Sequence, residues 1–283
     1  MLKNKINNSK TDVARGFTLL ELLIVISIIG VLASITIIAY PSYAKKARLA
    51  NALHFSDNIR GSLQQDMIAW WKFDETSGTV AKDSWWNQLN GTVYGGATFV
   101  LGIKGNALSF DGVDDYVSAT NNTSITSAQT TVSAWIKFSG LSNYSRIIDM
   151  RDGTNGLQIL YDKNSGRFVT KHSQFQSGNT ATQWNTPTTE VWYHIVAVFD
   201  SVANTTKFYV NGIAQTGAAN NNVGNGNVAN KTYIGVRSDL PVTNTYFNGL
   251  IDDVQIYSAT LPQAAIQQLY AEGLKDHQDL AIK

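Results

Sequence analysis

The chain has 283 residues, no cysteine, four histidines and a net charge of +1. Without cysteine there is no disulfide, no thiolate nucleophile and no cysteine-based zinc site, and the near-zero charge gives no basic field for nucleic acid or an anionic membrane surface. The 43% hydrophobic and 15% charged fractions suit a polar globular surface, and the length allows a membrane segment plus one domain of about 200 residues.

The basic residues concentrate at the start. Lys3, Lys5, Lys10 and Arg15 against Asp12 give residues 1–16 a net +3, which leaves the remainder of the chain at −2. Residues 17–40 then hold no Lys, Arg, Asp or Asn and one charge, Glu21. A helix over these 24 residues spans about 36 Å, enough to cross a bilayer. A secretory signal is a poor match, because its apolar region runs about 7–15 residues and precedes the cleavage site. A carboxylate in a membrane helix costs a few kcal/mol unless something neutralises it, so Glu21 needs a partner. Lys45, Lys46 and Arg48 follow the run, so charge asymmetry favours a cytoplasmic leader only slightly.

Pro41 predicts a kink rather than a helix end. Beyond it Leu49, Leu53, Phe55, Ile59 and Leu63 recur beside polar Asn51, Asp57 and Arg60, an amphipathic continuation that would dock one face on a globular head. Gly61-Ser62 places the helix end between Arg60 and Asp66. From Ala69 onward short β-branched and aromatic runs alternate with Gly, Asn and Asp clusters, the pattern of an all-β sandwich. Strands are expected at 130–138, 146–150, 157–161, 192–199, 207–210, 233–236 and 250–257. Turn signals fall at Asp152-Gly153, Asn164-Ser165-Gly166 and Asn211-Gly212. Residues 217–230 read as a long loop, and Pro262 as the first position of a short helix over 263–272, with a tail at 273–283.

Two family resemblances rest on these residues. Arg15-Gly16-Phe17-Thr18-Leu19-Leu20-Glu21-Leu22-Leu23-Ile24-Val25-Ile26 resembles the processing and assembly signal of type IV pilins and pseudopilins. That resemblance implies cleavage between Gly16 and Phe17 by a prepilin peptidase, N-methylation of Phe17, and pairing of Glu21 with the terminal amine of a neighbouring subunit. Such a buried pair would fix registry, since a misplaced subunit leaves one charge unpaired; the bland alternative is a single-pass anchor with an incidental Glu.

Trp71-Lys72-Phe73-Asp74-Glu75, Ala107 to Gly112 with Asp114-Asp115-Tyr116-Val117, Thr131 to Ile136, Trp192-Tyr193-His194, Tyr209 to Gly212 and Gly249 to Val254 together resemble laminin G-like, concanavalin A-like jelly rolls of bacterial surface proteins. The similarity covers about residues 67–272 and departs at Leu261-Pro262, where the family more often has a Ser-capped helix start. The expected fold is mainly β: a two-sheet antiparallel jelly-roll sandwich behind a long helix (17–66, membrane-spanning over 17–40), with a short C-terminal helix.

Glycoside hydrolysis needs two carboxylates across a cleft, about 5–10 Å apart. The head offers three Glu, at 75, 190 and 272, none in the Glu-x-Asp-x-x-Glu array of related glucanases, so no enzyme is expected. Alternation sets Leu250, Asp252, Val254 and Ile256 on one face; if that face is the core, Asp252 requires a cation or several donors. The laminin G-like resemblance implies Ca²⁺ (six to eight oxygens) with Asp83 and Asp252 as ligands; backbone N–H groups are the equal alternative. Asp111, Asp114 and Asp115 read as a solvated acidic turn. Trp135 alternates with Ser133 and Lys137 on a polar, concave-side face and is the candidate ligand platform, whereas His194, in step with Trp192, Val196 and Val198, reads as a buried structural histidine.

The expected function is a surface filament subunit that matures from a bacterial inner-membrane precursor and displays a lectin-like head for adhesion to glycan or protein surfaces. Its partners are other pilin subunits, the prepilin peptidase and the membrane before assembly, with no nucleic acid. The alternatives are a periplasmic pseudopilin of a type II secretion or DNA-uptake machine, and a head acting only as a spacer.

Overall fold

The computed structural model describes residues 17–86, 88–120, 128–141, 144–152, 155–172, 180–182, 187–215, 230–239 and 245–281, with side chains at these positions except 32–49, 51–53, 55, 152, 155, 171–172, 180–182 and 276–281. The expected leader 1–16 and most of the loop 217–230 lie outside them. Helix α1 (Leu19–Asp66) starts at an N-cap threonine and runs through Pro41. Among the described residues no helix is long and apolar enough to cross a membrane; the span expected over 17–40 continues past Val31 into side chains outside that set. The chain divides into two compact units between Asp57 and Asn58, so the last turns of α1 group with the head.

The head is built from β1 (Met67–Trp71), β2 (Val80–Ala81), β3 (Gly91–Tyr94), β4 (Thr98–Leu101), β5 (Asn106–Asp111), β6 (Tyr116–Thr120), β7 (Gln129–Phe138), β8 (Tyr144–Asp152), β9 (Asn155–Asp162), β10 (Arg167–His172), β11 (Thr180–Thr182), β12 (Trp192–Asp200), β13 (Thr205–Val210), β14 (Ile213–Ala214), β15 (Lys231–Ile234), β16 (Asn248–Tyr257) and helix α2 (Gln263–Ala281). Among the described residues every pairing is antiparallel. Sheet I runs β14-β13-β12-β7-β16-β5-β4, and sheet II runs β11-β10-β9-β8-β15-β6-β3-β2. One edge of β16 is shared: β5 pairs with its first half and β1 with its second.

The inner faces of the two sheets close on one apolar core containing Trp71, Phe110, Phe138, Tyr161, Phe168 and Phe247. Phe138 sits at its centre, with ring centroids 5.0 Å from Phe247, 5.6 Å from Tyr161 and 6.3 Å from Phe168. A second, smaller core lies on the outer face of sheet I. There Val196, Val198, Tyr209 and Tyr257 meet Leu63 from the end of α1 and Leu261, Ala265 and Ile266 at the start of α2. Arg60 and Glu272 tie the two helices at 3.1 Å, an exposed pair worth little by itself.

Alternation along β16 fails at a bulge. Asp253 takes φ +49°, and the register against β7 shifts between Asp252 and Gln255. An extra residue at a bulge flips the faces that follow. Asp252 therefore pairs opposite Trp135 on the outer side, while Val254 and Ile256 point into the main core. The expectation that Leu250, Asp252, Val254 and Ile256 share one face is corrected accordingly. The C-terminal helix is also longer than expected, continuing beyond Glu272 to Ala281.

Candidate functional site

At the start of α1, Thr18 and Glu21 form a reciprocal cap. The Thr18 backbone N–H and hydroxyl each donate to Glu21 Oε2 at 2.9 Å, and Glu21 N–H donates to Thr18 Oγ1 at 3.3 Å. Two otherwise unpaired helix-end donors are satisfied this way. Sequence reasoning singled out Glu21 but missed Thr18, although Thr-x-x-Glu ahead of an apolar run is the signature of this cap. Phe17 is exposed and Gly16 lies outside the described residues.

In the head, Asp83 accepts from the backbone N–H groups of Trp70 and Trp85 at 3.0 Å and of Leu89 at 3.4 Å. That is a buried carboxylate satisfied by amides. Asp252 Oδ2 accepts from Ile103 and Lys104 N–H at 2.9 and 3.3 Å, while Oδ1 is buried without a partner among the described residues. Burial first, and Asp253 second, push the Asp252 carboxyl up to about 9. The two aspartates draw on separate backbone segments, 70–89 for Asp83 and 103–104 for Asp252. Three clustered carboxylates occur instead at Asp111, Asp114 and Asp115, with ligand atoms all within 4.8 Å of one another. Asp115 there is buried rather than part of a fully solvated turn.

Trp135 does lie opposite the core, as alternation implied, but it is only 3% exposed. Tyr270 of α2 stacks on it at 5.6 Å and 22°, and His194 lies 5.1 Å away. An open platform at Trp135 is thus corrected: α2 roofs it. The cavity left beneath that roof is about 60 Å³, lined by Trp70, Ser133, Trp135, His194, Asp253 and Gln255, far below the roughly 300–1,000 Å³ of ligand pockets. His194 is buried as expected. Its Nε2 lies 2.8 Å from Ser133 Oγ, and burial pushes its pKa down to about 3, so it is neutral at physiological pH.

The aromatic surface lies on the other sheet. Thr92, Ser118, Tyr233, Asp149 and Gln158 are successive cross-strand partners, a polar row over five strands of sheet II. Beside it Tyr94 pairs with Tyr116. Their rings stack at 4.6 Å and 13°, and Tyr233 follows at 6.4 Å. Burial and the neighbouring Tyr94, Tyr233 and Tyr246 phenols push the Tyr116 hydroxyl up, so four phenols converge here. With Tyr94 43% exposed, this row places aromatic surface and hydroxyls together on the outer face of sheet II. The sequence carried a signal for it only in register, which a single chain does not display.

Residues 111–267 match the family described as the concanavalin A-like lectin/glucanases superfamily. The chain belongs to that superfamily. Ahead of the concanavalin A-like head, residues 13–37 match the prokaryotic N-terminal methylation motif, so the protein is type IV pilin-like at its N-terminus. It is 35% identical over 72 residues to the type IV major pilin PilE of Neisseria gonorrhoeae, 25% of this chain and 43% of the pilin. It is 45% identical over 49 residues to a fimbrial protein of Moraxella nonliquefaciens, 17% of this chain and 32% of that protein. The chain thus spans less than half the length of these relatives. The concanavalin A-like head shares its fold with domain 4 of AbnA, an extracellular arabinanase from Geobacillus stearothermophilus solved with arabinotriose (TM-score 0.58, 21% identity, 72% of this chain, 98% of that chain). It likewise resembles the binding domain of botulinum neurotoxin serotype D (TM-score 0.59, 16% identity, 75% of this chain, 53% of that chain).

Proposed function

We propose that this protein is a subunit of a type IV pilus-like filament on a bacterial surface and that its concanavalin A-like head is an adhesive, glycan-binding module. The observation that carries the reading is the union in one chain of a pilin-type methylation motif at 13–37 and a lectin-class sandwich at 111–267. In this reading the precursor sits in the inner membrane, a prepilin peptidase cuts between Gly16 and Phe17, and Phe17 is methylated. Glu21 then exchanges its Thr18 contacts for the terminal amine of a neighbouring subunit. The tyrosine row of sheet II is the binding surface. Support for it comes from its exposure and stacking, and from the arabinotriose held by a protein of the same fold.

Two measurements test the reading. Immunogold labelling should decorate extracellular fibres; label confined to the envelope would instead indicate a pseudopilus. The purified protein should bind saccharides on a glycan array, and Tyr94→Ala with Tyr116→Ala should weaken that binding at least tenfold. A blank array would reduce the head to a spacer.

A further inference from the structure

Next to the tyrosine row, on the same face of sheet II, lies a cluster of charge that the filament role does not use. Asp149 is the direct cross-strand partner of Tyr233. Around it stand Arg146 and Arg151 of β8, and Arg237 and Asp239 just after β15. Three guanidinium groups face two carboxylates.

The hydrogen bonds are unevenly shared. Four donors converge on Asp149: the Arg151 backbone N–H at 3.2 Å, its Nε shared between both oxygens at 2.9 and 3.1 Å, its Nη2 at 2.7 Å, and the Ser238 N–H at 3.2 Å. A carboxylate offers about four lone-pair sites, so Asp149 is saturated. Arg146 Nε remains 4.0 Å from Asp149 Oδ2, beyond hydrogen-bond range. Asp239 is already engaged, 3.5 Å from Arg151 Nη2 and 2.5 Å from Arg237 Nε; that last contact is an ion pair without hydrogen-bond alignment.

Arg146 is therefore stranded. Its Nε and Nη1 are buried and have no acceptor among the described residues. Burial pushes its pKa down only to about 10, so it stays charged at neutral pH. A buried guanidinium with unmet donors is costly, and the group that best completes it is a planar oxyanion, which matches the guanidinium fork. Access is graded: Asp239 and Arg237 are 45% and 34% exposed at the rim, Arg151 12%, and Arg146 7% at the bottom. The cluster therefore grades from exposed Asp239 and Arg237 down to buried Arg146, beside Tyr233 on the same sheet face.

We propose that this arginine cluster binds the carboxylate or equivalent oxyanion of an acidic saccharide, with Arg237 meeting it first at the surface, Arg151 and Arg146 completing the site beneath, and Tyr233 and Tyr116 against the sugar ring. This rests on the glycan-binding reading above and gives it a chemical class. Net charge near zero hides the feature at the level of composition, because the surplus is local.

The test uses the full-length protein in detergent on an array of uronate-containing, sialylated and sulfated oligosaccharides beside neutral or methyl-esterified counterparts of the same length. Acidic members should bind at least tenfold more tightly than their neutral counterparts, and raising salt should narrow the gap. Arg146→Gln and Arg237→Gln should each remove most of that preference. Arg237 is the safer variant, since its partial exposure separates its side chain from the core, and circular dichroism checks the fold of both. Equal binding of acidic and neutral saccharides, or a preference that survives both variants, overturns this inference and leaves saccharide binding standing. Binding of no saccharide at all overturns both.

Discussion

At the scale of single residues, two buried ionisable groups of the head, Asp252 and His194, are held in their neutral forms, and this makes stability depend on pH. Asp252 ionises near 3.8 in the unfolded chain, whereas burial raises it to about 9 in the folded one. The stability its neutral form contributes is therefore complete below its unfolded pKa and is lost as pH rises toward its folded pKa. Asp252→Asn keeps an acceptor for the Ile103 and Lys104 N–H groups but has no proton to lose. Its melting temperature should decline less between about pH 5 and pH 9 than that of the native protein; parallel curves would show that Asp252 is ionised. His194 acts in the opposite sense: its depressed pKa withholds a proton that the unfolded chain accepts below 6.5. At the other end of the chain, Glu21→Ala removes one half of the reciprocal cap while Thr18 remains the N-cap, which costs about 0.3–1.5 kcal/mol of helix stability. In the filament reading it also removes the partner of the neighbouring amine. Such a variant should be processed and membrane-bound but form few fibres on electron micrographs, and normal fibres would refute the registry role.

At the scale of elements, the decisive contact is α2 on sheet I. Gly273 lies inside α2, and a Cβ there would meet the Trp135 ring at 2.6–2.7 Å. Gly→Ala within a helix ordinarily gains about 1 kcal/mol. Here the clash reverses the sign, and Gly273→Ala should destabilise the head by roughly 1–3 kcal/mol in denaturant unfolding. The expected helix over 263–272 ends one residue short of this glycine, which is a point of close approach within a longer helix. Trp135 was misjudged: alternation correctly put it opposite the core, yet nothing local reveals that a later helix covers it. The long central strands β7, β12 and β16 were legible, because both of their faces are covered and their sequences are β-branched and aromatic. The two-residue β2 and β14 were not, since they carry too little pattern and exist only by pairing with β3 and β13. The tyrosine row and the arginine cluster share that origin, being products of register between strands far apart in sequence.

At the scale of the whole molecule, the boundary between the two units is set by packing rather than by the end of a helix. A chain beginning at Asn58 retains Ile59 and Leu63 in the smaller core, whereas one beginning at Met67 loses both. The first should fold independently, with a sharp thermal transition. The second should melt several degrees lower, since removing a buried Leu costs about 2–5 kcal/mol. Equal melting temperatures would show that the smaller core adds nothing. The joint itself has a mechanical meaning. Asp66 ends α1 and Met67 begins β1 with no residue between them, so a pull on the helix has no slack to take up before it reaches the sandwich. From β1 the force crosses four residue pairs into β16, the strand that also carries β5 and β7. A ligand gripped on sheet II would transmit tension through the aromatic interior to that strand, which makes β16 the tendon of the head and Met67–Trp71 its point of attachment.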